Sequence, residues 1–186
     1  LINKDGFGIS SQRSTVVDFI VSHNVGGPFY NDFETGDALS YRIYPQLVFV
    51  DSRPEAYPAS FFQSVYTPMQ DDPRIFEKLD ATYNFNAFLI LYIIDVPGGH
   101  SLLRYLVNSS NFKLIYLDQY NVLLVRDTPA NKELIDRYFI DKDGSLEDLF
   151  HKFLFFDKVG WRRDEEVVLA AMRKSDPELC VLKKYL

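Results

Sequence analysis

Asn86-Ala87-Phe88-Leu89-Ile90-Leu91-Tyr92-Ile93-Ile94 is the most apolar segment of the chain. It is apolar and does not alternate, so it reads as a central β-strand buried on both faces. Its longest unbroken run, Phe88 to Ile94, covers seven residues, where a membrane-crossing helix needs about twenty. Downstream, Pro97-Gly98-Gly99 turns the chain into a helix around Ser101 to Val107. Lys113–Leu117 and Asn121–Val125 then flank Asp118-Gln119-Tyr120 and read as a β-hairpin. Upstream, Asp72 caps a helix with Pro73 at its first position and Phe76 and Leu79 on one face. Before it stand a helical patch (Phe61, Phe62, Val65, Tyr66) and a loop, Ser52 to Pro58, that Pro54 and Pro58 keep irregular. Leu47 to Val50 reads as another strand, ending in Asp51.

Near the start, Ser14 is positioned to cap a helix with Val17, Ile20 and Val21 on its buried face. Asn24, Gly26 and Gly27 stop that helix, Pro28–Asn31 is extended, and Thr35-Gly36 opens a short helix that Pro45 ends. Strand and helix thus alternate from residue 14 to about 126. This is the signature of an α/β domain, here a three-layer, Rossmann-like sandwich with a mostly parallel sheet closed by the hairpin.

Beyond residue 128 the pattern turns to helix only, which divides the chain into an α/β domain over 1–130 and a helical appendage over 131–186. Ser145 and Asp148 form a capping box ahead of the stripe Leu146, Leu149, Phe150, Phe153 and Leu154. Asp164, Glu165 and Glu166 open a further helix that Arg173 and Lys174 close, and Asp176-Pro177 starts a third.

Composition narrows the function. The net charge of −6 leaves no basic footprint for nucleic acid. With 47% apolar and 16% aromatic residues the chain has the material for a packed core. Cys180 is the lone cysteine, so no intrachain disulfide forms. Residues 1–15 carry Lys4, Asp5 and Arg13 and lack the apolar core of a signal peptide. The opening at Leu1, without a Met, reads as a trimmed fragment. No glycine-rich phosphate fingerprint occurs, and His23, His100 and His151 lie far apart. No cofactor and no metal is therefore expected in this chain. Asp141-Lys142-Asp143-Gly144 does not extend to a calcium loop, because Phe139 and Phe150 stand where acids are needed. Asn108-Ser109-Ser110 has the form of a glycosylation sequon.

The densest polar residues are Asp32, Glu34, Thr35 and Gly36 after one strand and Asp51, Arg53, Glu55 and Tyr57 after the next. In an open parallel sheet, ligands bind beyond the carboxyl ends of the strands. Two such loops side by side would form a polar pocket for a sugar or a phosphate-bearing ligand, with Thr35-Gly36 offering backbone N–H groups to an anion. Four carboxylates against one arginine disfavour phosphate. The alternative is a clasp, in which Arg53 bridges two carboxylates and Thr35 caps its helix. No catalytic residue is assigned.

Gly27-Pro28-Phe29-Tyr30-Asn31-Asp32-Phe33-Glu34-Thr35-Gly36, Tyr41-Arg42-Ile43-Tyr44-Pro45 and Val48-Phe49-Val50-Asp51-Ser52-Arg53-Pro54-Glu55-Ala56-Tyr57 form a recognisable block. It resembles the soluble C-terminal region of bacterial multi-spanning glycosyltransferases of the dolichyl-phosphate-mannose–protein mannosyltransferase and oligosaccharyltransferase-like class. The resemblance runs from about residue 14 to 130, and the tail from Gly160 to Pro177 resembles part of a tetratricopeptide unit. It implies an extracytoplasmic (periplasmic or cell-surface) domain of a bacterial membrane protein whose donor is a lipid-phosphate-linked sugar. The implied partners are the transmembrane portion of the same polypeptide and a glycan or protein acceptor. The class's catalytic acid lies in an outer loop that nothing here matches, which implies a non-catalytic accessory domain. The alternatives are a free-standing α/β sugar- or nucleotide-binding enzyme and a protein-interaction module.

Overall fold

A computed structural model of the chain describes residues 11–92, 101–140, 155 and 159. The chain divides into two compact units, Leu1–Phe139 and Ile140–Leu186. The appendage helices read at 145–154, 164–174 and 176 onward lie outside the described residues, as does the Pro97-Gly98-Gly99 turn. The first unit runs past residue 130. It takes in a 3₁₀ turn (Pro129–Asn131) and helix α7 (Lys132–Tyr138), whose Ile135 is buried in the core.

Helix α1 (Ser11–Ser22) begins earlier than its sequence suggests, so Ser14 lies within it. The face it buries is Val16, Val17 and Ile20, while Val21 is turned off that face and is exposed. Asn24 ends the helix in the left-handed region (φ 52°). Val25 N–H then reaches Ile20 O at 3.0 Å and Asn24 N–H reaches Val21 O at 3.3 Å. This paired arrangement satisfies the last carbonyls and turns the chain back towards the sheet.

Among the described residues the sheet has four strands: β1 (Phe29–Asn31), β2 (Ala87–Leu91), β3 (Phe112–Leu117) and β4 (Asn121–Arg126), in the order β1-β2-β4-β3. β1 and β2 are parallel, in register Phe29↔Ala87 to Asn31↔Leu89. β2–β4 and β4–β3 are antiparallel. The sheet is open and mixed, and the expectation of a mostly parallel one is corrected. The β3–β4 hairpin sets β4 against β2, and so contributes two antiparallel pairings where one crossover contributes a parallel one.

Leu47–Val50 is not a strand. The segment is held to β1 instead by one side chain. Asn31 Nδ2 donates to Val50 O at 2.6 Å, and its Oδ1 accepts from Phe49 N–H at 2.9 Å. The amide does for this segment what a ladder partner would have done, and Leu47 is left 87% exposed.

β2 is central and buried, as its lack of alternation implies. Ala87 and Leu89 join Val17 and Ile20 of α1 and Leu39 of helix α2 (Gly36–Ile43) in one apolar cluster. Phe88, pointing the other way along the pleat, packs on Tyr30, Phe112 and Phe76 at centroid separations of 5.8, 4.9 and 5.8 Å. Phe76 comes from helix α5 (Pro73–Tyr83), which Asp72 caps through Arg74 N–H at 2.9 Å. Ahead of α5, helix α3 (Ala59–Phe61) passes through a π-helical segment (Phe62–Tyr66) into α4 (Thr67–Asp71). Thr67 N–H bonds to Phe62 O in that wider turn, just before Pro68, which has no N–H to continue the ordinary ladder. Helix α6 (Ser101–Asn108) buries Leu102, Leu103 and Leu106.

Two polar clusters, not legible beforehand, fix the amino end of β2. Arg126 bonds both oxygens of Asp80, at 2.8 and 2.7 Å, and Phe85 O at 2.9 Å, above the Phe112 ring. Asn86 Nδ2 bonds Gly26 O at 2.6 Å, and Asn131 Nδ2 bonds Asn86 Oδ1 and Arg126 O, both at 2.8 Å.

Candidate functional site

The polar residues singled out in the sequence separate into two neighbourhoods. Asp32 belongs to the first, at the carboxyl end of the parallel pair. Its N–H continues the ladder to Leu89 O at 3.4 Å. One carboxylate oxygen accepts from Leu91 N–H. The other accepts from Thr35 N–H at 3.0 Å and from the Thr35 hydroxyl at 2.7 Å. Thr35 therefore serves Asp32 and makes no capping bond to α2.

Asp32 also lines a cavity of about 40 Å³ with Tyr30, Gln70, Leu91 and Leu102. Desolvation pushes its carboxyl up to about 6, against the pull of the donors on it, and Glu34 adds a smaller push. Burial likewise raises the Tyr30 hydroxyl well above its usual range and takes the neighbouring Tyr66 up to about 12. Tyr66 Oη accepts from Phe33 N–H at 2.9 Å, pinning the same loop to the π segment.

Asp51, Arg53 and Tyr57 form the second neighbourhood. Asp51 is buried, with a side-chain exposure of 5%. Arg53 Nε lies 3.2 Å from each of its oxygens, Nη2 bonds Oδ2, and Arg53 N–H bonds Oδ1 at 3.1 Å. Asp51 N–H donates to Tyr57 Oη at 3.0 Å. The guanidinium holds the Asp51 carboxyl below its usual range. Arg53 thus bonds one carboxylate and does not bridge two. Glu34 sits with Asp32 in the first loop, and Glu55 is exposed on a 3₁₀ turn (Pro54–Ala56).

Gly36 lies between the neighbourhoods. A Cβ there would meet Val50 O at 2.0 Å and Asp51 Cα at 2.7 Å. The backbone of residues 50–51 therefore rests directly on the first turn of α2, where the sequence had suggested an open anion site.

Sequence reasoning missed further residues of the second neighbourhood, Asp37, Tyr41 and Tyr44 foremost. Asp37 accepts from Ser52 N–H at 3.1 Å and from the Ser52 hydroxyl, tying α2 to the loop. Tyr41 and Tyr44 are 77% and 84% exposed. Asp37, Ser40, Tyr41 and Tyr44 fall at i, i+3, i+4 and i+7, one face of a helix, and that spacing was the available signal. With Gln46, Leu47, Asp51, Arg53 and Tyr57 this face encloses an open groove of about 700 Å³.

Compared with known proteins, the chain matches no family model, no curated protein and no solved structure. Among the described residues, no group of three or more His, Cys, Asp or Glu side chains is arranged to hold a metal ion. None of the described helices is long and apolar enough to cross a membrane.

Proposed function

We propose that this chain is a non-catalytic, extracytoplasmic accessory domain of a polytopic bacterial membrane glycosyltransferase-like protein, in which it supports transfer by holding the acceptor. The finer fold that goes with this reading is a three-layer, Rossmann-like sandwich carrying a helical, tetratricopeptide-like appendage. The observation that carries the reading is the division of labour in the second neighbourhood. Asp51 and Asp37 are engaged in building the groove wall, while Tyr41, Tyr44 and the outer edge of Arg53 are left facing its open side. That arrangement suits holding a ligand better than moving a proton. The block from Gly27 to Tyr57, with its resemblance to the soluble region of such proteins, supports the membrane context.

One observation favours a second reading. Asp32, raised to about 6 beside a cavity at the carboxyl end of β1 and β2, has the titration expected of a general acid or base in a free-standing α/β enzyme. Against that, donors from Leu91 and Thr35 occupy both of its oxygens.

The coding sequence upstream of Leu1 tests the membrane context. Several apolar segments of about twenty residues, with an acidic residue in the first outer loop, support the accessory reading. A start codon or a cleavable leader directly before Leu1 overturns it and returns Asp32 to the front as a candidate acid or base.

A further inference from the structure

We infer that the ligand of the Tyr41–Tyr44 groove is a carbohydrate without acidic groups, a hydroxyl-rich chain and not a phosphate or acidic sugar. The inference rests on the proposal that this groove is a binding surface, and it adds the chemical class of the occupant.

Tyr41, Tyr44 and Leu47 follow one another at three-residue intervals, and all three are more than three-quarters exposed (77, 84 and 87%). Exposed tyrosines at the rim of an open groove present flat apolar faces with a hydroxyl at the edge. A pyranose ring has the matching character, with C–H groups on its faces and hydroxyls around its rim.

Polar groups of the right kind stand beside these rings. Arg53 is clamped to Asp51 through Nε and Nη2, while its Nη1 makes no hydrogen bond among the described residues and the side chain is 68% exposed. A guanidinium already fixed by its partner loses little freedom on receiving a ligand oxygen. Gln46 adds a donor and an acceptor on the same wall, and Ser40, whose hydroxyl donates to Asp37 O at 3.0 Å, adds an acceptor.

Charge decides against an anion. The groove holds Asp37 and Asp51 against Arg53 alone, so its formal charge is −1. The Asp37 field adds to that of Asp51 in holding the proton on Arg53. A phosphate or uronate arriving here meets a guanidinium already neutralised by Asp51 and an unneutralised Asp37. Hydroxyl groups meet no such penalty.

The test is calorimetric titration of the full chain with three trisaccharides: neutral mannotriose, anionic trigalacturonate and the cationic glucosamine trimer. Mannotriose is expected to bind, with Tyr44→Ala weakening it about tenfold, the loss usual for one well-placed ring contact. Trigalacturonate is expected to bind at least about tenfold more weakly than mannotriose in low salt. That gap should narrow as salt screens Asp37, and the glucosamine trimer should bind no more weakly than mannotriose. Trigalacturonate binding as tightly as mannotriose, with the same sensitivity to Tyr44→Ala, would overturn the ligand class while leaving the groove a binding surface. Failure of all three to bind would overturn the groove as a binding surface, and this inference with it. Tyr44 is exposed, so its substitution leaves the fold intact, and a matching thermal unfolding curve for Tyr44→Ala verifies that.

Discussion

Replacing Gly36 with alanine adds one methyl group and should cost the first unit about 3 kcal/mol. In an unobstructed helix the same change is favourable by about 0.5–1 kcal/mol, because alanine loses less backbone freedom on folding. Here the new Cβ would lie 2.0 Å from Val50 O and 2.7 Å from Asp51 Cα, against an ordinary contact near 3.5 Å. The obstructing atoms are backbone, so no rotamer change relieves the clash, and overpacking of this kind costs about 1–3 kcal/mol. Moving residues 50–51 away also stretches the two bonds from Asn31 to Phe49 and Val50, each worth about 1 kcal/mol. After the helix gain is subtracted, the net loss is about 3 kcal/mol, or roughly 10 °C in Tm for a unit of this size. Thermal and urea unfolding of the full chain measure it. A Gly36→Ala variant as stable as the parent, or more stable, would show that residues 50–51 do not rest on α2, and the account of the groove wall would fail with it.

Three other outcomes are expected. Arg126→Met should cost about 2–4 kcal/mol in urea unfolding by leaving the Asp80 carboxylate, 14% exposed, without its partner, and adding Asp80→Asn should recover part of the loss. Asp32 contributes a pH dependence of definite sign, because the folded chain holds a proton up to about pH 6 that the unfolded chain releases near 4. Its contribution, on the order of 3 kcal/mol, is full below pH 4 and is lost as pH rises through 6. The difference in urea midpoint between wild type and Asp32→Asn should therefore change between pH 4 and 7, and a constant difference would contradict the assignment. Asn31→Ala should release the Phe49 amide to hydrogen exchange while β2 amides stay protected, and unchanged Phe49 protection would mean that another group holds this segment.

Where a few adjacent residues determine local geometry, the sequence was legible. Asn24 with Gly26 and Gly27 announced the end of α1, Asp72-Pro73 the start of α5, and Asp118-Gln119-Tyr120 the β3–β4 hairpin, which closes with Asp118 Oδ1 accepting from Tyr120 and Asn121 N–H at 2.8 and 2.7 Å. The unalternating run at Ala87 announced a buried central strand. What failed depended on partners distant in sequence. Leu47–Val50 has strand composition, but whether it pairs is decided by the edge it meets, and here the Asn31 side chain makes the contact to β1. Asp32 and Asp51 each follow an extended segment and look equivalent on paper. One is turned to Leu91 and Thr35, the other to Arg53 and Tyr57, and only the packing of Gly36 beneath Val50 separates them. Asp37 escaped notice because an acid in the first turn of a helix is ordinary, although its face was written in the spacing to Tyr44. The widened turn before Pro68 also gave no warning, since a proline there reads equally well as the end of a helix.

The measurement that bears most directly on the central claim is a ¹H–¹⁵N NMR titration of the full chain with mannotriose. Shifts are expected to be confined to Ser40, Tyr41, Tyr44, Gln46 and Arg53, saturating with ligand and lost in Tyr44→Ala, while the amides of Leu91 and Thr35 stay still. Shifts centred on Asp32, Thr35 and Leu91, or none at any concentration, would contradict it and identify the wrong neighbourhood as the site.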